Sequence, residues 1–175
     1  MATAILIGFV AASSVGCLPL PHPRDAPKEE CAREFHLWSN DQPLGPSDEF
    51  LRVAREIAAT PGAVTDLDKV SRRAGWSGRW DRVVVVGGST SSADLNELAG
   101  TTGICFDGFN GGDSDSGFNG HYVFFDGPHP KQAAGAGSRP VIDTDGHPLV
   151  WRHDPLVSDT SLETPVLRLV TAETQ

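Results

Sequence analysis

Arg82-Val83-Val84-Val85-Val86-Gly87-Gly88-Ser89-Thr90-Ser91-Ser92 is the stretch on which the fold turns. Four consecutive valines are stiff at χ1 and suit a pleated strand, and an unbroken apolar run marks a strand covered on both faces. Gly87 and Gly88 then turn the chain into a short helix over 92–99, closed by Gly100. Before this stretch the apolar periodicity is helical, and after it the period is that of strands.

Upstream, Phe50, Val53, Ala54 and Ile57 fall at i, i+3, i+4 and i+7, which gives a helix one apolar face. Pro46-Ser47-Asp48-Glu49 opens this helix with a cap residue and two acids near the positive end of its dipole, and Thr60-Pro61-Gly62 ends it. A second helix is expected over 65–74, with Leu67 and Val70 inward and Gly75 at its end. Phe35, Leu37 and Trp38 form a short strand or a buried entry segment. Downstream, strands are expected over 102–106, 121–125, 140–143, 148–152 and 166–171, with Asp145-Gly146 as a hairpin turn. Helices early and strands late predict a single α+β domain: two or three short helices, then a mainly antiparallel sheet.

The chain divides into three parts. Residues 1–16 begin with the uncharged run Met1 to Val15 and end at Gly16 before Cys17, the outline of a lipoprotein export signal with Cys17 as the lipid acceptor. The apolar run over 4–12 is shorter than the roughly 20 residues a spanning helix needs. The pattern departs from the usual one in that its first basic residue is Arg24 and Ser14 stands three places before the cysteine. Ile5, Leu6, Ile7, Phe9 and Val10 also read as a short buried strand. Residues 17–33 carry Pro19, Pro21, Pro23 and Pro27 and read as an extended tether. Residues 34–175 are the globular domain, and the roughly 160 residues beyond the signal suffice for one self-standing core.

The cysteines fit this division. With Cys17 lipidated, Cys31 and Cys105 remain as an even pair, read as a disulfide in an oxidising compartment. A net charge of −9 argues against nucleic acid and anionic membrane surfaces as partners, leaving membrane attachment to the lipid alone.

Four places invite chemistry. The strand, glycine turn and helix over 83–99 have the geometry of an anion site but lack a P-loop lysine and the spaced glycines of a dinucleotide fingerprint. The loop from Asp107 to Gly120 repeats Gly-Phe-Asn-Gly and places Asp107, Asp113, Asp115 and Asn119 as oxygen ligands for a hard cation, calcium above all. Its spacing departs from an EF-hand, since the glycine comes one place early and Phe124 stands where the closing Glu belongs, so the other reading is a polar hairpin loop. Among His36, His121, His129, His147 and His153 no pair has a metal-binding spacing, while His121 would approach Cys105 if their strands paired. Trp76 and Trp80 around Ser77-Gly78-Arg79, together with Phe109 and Phe118, offer an aromatic recognition surface for a protein or a carbohydrate, or else core.

No complete catalytic motif is present. The first expectation is a non-catalytic envelope lipoprotein that binds another protein or an envelope ligand. The second is an acidic cytosolic immunity protein that occludes a cognate toxin. The third is a small hydrolase using Asp107, Asp126 and a nearby histidine as acid and base.

Overall fold

A computed structural model describes residues 31–87, 89–108, 120–137 and 140–171. Among them the order is β1 (Arg33–His36), α1 (Ser47–Ala58), β2 (Val64–Thr65), α2 (Leu67–Arg73), β3 (Arg82–Val86), α3 (Ser92–Ala99), β4 (Ile104–Asp107), β5 (Gly120–Asp126), β6 (His129–Gly137), β7 (Ile142–Asp143), β8 (Leu149–Trp151), β9 (Leu156–Asp159) and β10 (Val166–Leu169). The fold is α+β with mainly antiparallel sheets, as the patterning predicts.

The central sheet runs β6-β5-β3-β8, and all its pairings are antiparallel. Its inner pair is buried on both faces, which is why β3 can be a run of valines. Tyr122 and Phe124 face one core with Val83, shared with α1, α2 and the sheet β2-β9-β10-β7. Val123 and Phe125 face a second core with Val84 and Val86, closed by Leu95 and Ala99 of α3 and by Ile104 and Phe106 of β4. The short sheet β1-β4 is parallel, with Arg33 opposite Ile104 and His36 opposite Asp107.

Helix starts follow local chemistry. Asp66 caps α2 through the Lys69 N–H at 2.7 Å, and Ser91 with Asp94 forms a capping box on α3, which ends at Gly100 with φ +64°. At α1 the cap differs from expectation: Pro46 has no side-chain cap, and the Ser47 N–H donates to Gln42 Oε1 at 2.9 Å instead. The Asp145-Gly146 turn forms, with both residues at positive φ, but its flanking strands β7 and β8 enter different sheets rather than a hairpin.

The nine-residue β6, His-Pro-Lys-Gln-Ala-Ala-Gly-Ala-Gly, carries no strand signal, because Pro, Ala and Gly all disfavour strands in isolation. Tertiary bonds decide it. Buried Gln132 accepts from the Leu44 N–H at 3.0 Å and donates to Gly45 O at 2.8 Å and Ser47 Oγ at 2.9 Å, so β6 is locked to the entry of α1.

At the start of the domain, Ala32 N–H and Arg33 N–H donate to Gly103 O, so packing reaches into the end of the stretch read as a tether. Cys31 and Cys105 meet in disulfide geometry with their Cα atoms 5.5 Å apart.

The fully buried Tyr122 hydroxyl accepts the Ile142 N–H at 3.0 Å, joining the central sheet to β7. Tyr122→Phe leaves that N–H without its acceptor and is expected to cost about 1–3 kcal/mol in denaturant unfolding. A loss below about 0.5 kcal/mol would show that the bond contributes nothing net.

Candidate binding site at the strand ends

The C-terminal ends of β1 and β4 and the start of β5 come together at one edge of the second core. His36 and Asp107 are register partners on adjacent parallel strands, and His36 Nδ1 lies 3.1 Å from Asp107 Oδ2. Both side chains are largely exposed, so the pair adds little stability. Two residues beyond His36, the Trp38 indole N–H donates to Gly108 O at 2.8 Å. Gly108 has φ +103°, and a Cβ there would lie 2.5 Å from Trp38 Cδ1, so only glycine lets the indole sit on this backbone.

On its other side the indole stands edge-on to His121, with centroids 4.5 Å apart and planes at 85°. Trp38 therefore touches the residue that follows β4 and the second residue of β5, while 56% of its own surface stays exposed. His121 is 3% exposed, and among the described residues its Nε2 has no hydrogen-bond partner. Burial pulls its pKa below that of a free imidazole, which keeps the ring neutral at pH 7.

The site residues expected from the sequence divide three ways. Asp107 lies in this cluster, bonded to His36. Cys17, Phe109, Asp113, Asp115, Phe118 and Asn119 lie outside the described residues. Trp76 and Trp80 are a correction: they are core, 8% and 4% exposed. Both pack on Phe124, at centroid distances of 4.8 and 5.3 Å, and the Trp76 N–H donates to Pro46 O at 2.8 Å. Gly75 and Gly78, at φ +72° and +97°, give the backbone the turns that bring both rings inward.

Three further expectations are corrected. The N-terminus of α3 is filled by its own capping box, where Asp94 Oδ2 accepts the Ser91 N–H at 2.9 Å, so a carboxylate of the chain stands where an anion would. Cys105 and His121 do not share a strand pair, because β4 pairs with β1 and β5 lies between β3 and β6. Asp126 ends β5 opposite His129, while the Asp107 carboxylate is bonded to His36, and among the described residues no bond joins the two acids of the hydrolase reading.

Asp66, Asp68 and His153 bring ligand atoms within 4.8 Å of one another, a cluster no spacing in the sequence reveals. Its chemistry is that of an ion-pair network. Arg152 and Arg72 lie 2.6 and 2.9 Å from the Asp68 carboxylate, and Lys69 lies 3.2 Å from Asp66. Burial raises the Asp68 pKa, but the Arg152 hydrogen bond with the Arg152 and Arg72 charges outweighs it and holds the carboxyl below its ordinary value.

The Trp38 cluster offers an exposed aromatic ring on a rigid backbone seat, flanked by a carboxylate and an imidazole. Those are features of recognition surfaces. Sequence reading missed its centre because His36 and Asp107 are 71 residues apart and only the parallel β1-β4 register joins them. No protein-family model matches the chain, and no curated protein or solved structure matches it.

As pH falls below 6.5 the unfolded chain takes up a proton that folded His121 refuses, so the stability present above pH 6.5 declines toward the lower folded value. Denaturation midpoints are expected to be lower at pH 5.5 than at 7.5, by at most about 1.4 kcal/mol per pH unit for this one proton. His121→Leu should flatten that dependence, and an equal slope in the variant would assign it elsewhere.

Proposed function

We propose that the chain is a lipid-anchored protein of a bacterial cell envelope, whose domain binds a protein or an envelope ligand through the exposed strand ends around Trp38. The observation that carries this reading is the position of the Cys31–Cys105 pair. Cys31 stands where the proline-rich stretch reaches the domain, and its sulfur meets that of Cys105 on β4, clamping the parallel pair β1-β4. Such bridges persist in oxidising compartments, which is where an export signal ending at Cys17 delivers a chain. Among the described residues no helix is long and apolar enough to cross a membrane, and in this reading the lipid at Cys17 provides the attachment.

The binding role follows from the chemistry on display. A half-exposed indole seated on glycine backbone costs little entropy to dock, and the net charge of −9 favours a basic partner surface.

Detergent phase partition of cells expressing the full chain is the test of the anchor. The wild type is expected in the detergent phase and Cys17→Ala in the aqueous phase. Unmodified Met1 on protein recovered from the cytosol overturns the reading. Reduction of the bridge, with a sequence separation of 74, is expected to lower unfolding free energy by up to about 4 kcal/mol.

A further inference from the structure

Most lysines and arginines among the described residues hold a carboxylate; Arg33, Arg55, Arg79 and Lys131 are without an acidic partner. Two of these, Arg33 and Lys131, line one cleft of about 310 Å³ between β1 and the first half of β6. In so acidic a chain, two cations in one depression that form no ion pair, although Glu34 shares its lining, stand out from the even pairing elsewhere.

Arg33 is also held in place. Its Nη1 donates to His129 Nδ1 at 2.7 Å, so the imidazole acts as an acceptor there and carries its proton on Nε2. A guanidinium bonded to a neutral ring keeps its full charge and its other N–H donors for a ligand. Phe35, Pro130 and Ile104 supply an apolar wall beside these groups. Past Lys131 the cleft continues into a groove of about 610 Å³ that shares Glu34, Phe35 and Lys131 with it.

We propose that this cleft binds an oxyanion, a carboxylate or a phosphate monoester carried on an apolar body, with Arg33 and Lys131 as the binding cations and His129 as the residue that positions Arg33. The Glu34 carboxylate on the same rim limits the charge that is tolerated, which favours a single anionic group over a polyphosphate. His36, Trp38, Asp107 and His121 do not line this cleft, although the groove it opens into reaches His36 and Ser39, and its ligand does not depend on the anchor or on the compartment.

The test is a titration of the full chain followed by backbone amide NMR, with benzoate, phenyl phosphate and the neutral benzamide as probes. At least one of the two anions is expected to shift the Arg33, Phe35 and Lys131 amides saturably while benzamide does not, and the better of the two identifies the head group. Arg33→Gln and Lys131→Gln are each expected to weaken that binding about tenfold with the remaining spectrum unchanged. His129→Ala should weaken it less than Arg33→Gln, since it frees the guanidinium without removing it. Absence of saturable shifts with both anions, equal binding of benzamide, or undiminished affinity in Arg33→Gln overturns the proposal. None of these results bears on membrane partition, so the envelope reading stands or falls separately.

Discussion

The antiparallel pair β3-β5 separates the two cores of the described residues, with β8 and β6 paired along its edges and the helices and the other two sheets packed on its faces. Val83 opposes Phe124 and Val84 opposes Val123, so each step along the pair alternates between the two cores. A shift of one residue in this register would send every side chain of one strand to the opposite core. Arg82 secures one end: its guanidinium, 7% exposed, bonds Asp81, the Ala99 carbonyl at the C-terminus of α3 and the Gly127 carbonyl of the β5-β6 turn. A buried cation with all these acceptors is costly to break, because removing one partner leaves a charge in apolar surroundings.

The same register explains where the candidate site lies. At the end of the pair away from Arg82, His121 lies opposite Val86, and the short β1-β4 sheet brings His36 and Asp107, with Trp38 two residues beyond β1, to that end. The core stops there, so an indole is left half in solvent and a buried imidazole keeps an Nε2 that bonds nothing among the described residues. Buried polar groups left without a bond are uncommon in a packed domain, and this one stands beside the exposed ring.

How much of this was legible in the sequence follows from where each residue's energy comes from. The valine run, the Asp66 and Ser91 caps and the Gly100 stop are local signals, and they stand in the structure where the residues put them. Strand β6 was not legible, since its stabilisation comes from Gln132 bonding a segment more than 80 residues away. Trp76 and Trp80 read as exposed because polar residues and glycine surround them, yet those glycines are what turn the rings inward against Phe124. The Trp38 cluster and the Arg33–His129 cleft rest on contacts across 71 and 96 residues, which no window of sequence displays.

The proposal of an oxidising compartment rests on the clamp that Cys31 and Cys105 place on the first strand. Peptide mapping by mass spectrometry, on protein taken directly from its own cells with free thiols alkylated before any reduction, addresses that claim most directly. The expected result is a Cys31 peptide covalently joined to the Cys105 peptide, and a lipid-modified Cys17 as the first residue. Alkylated Cys17, Cys31 and Cys105 in a chain that still begins at Met1 would contradict it.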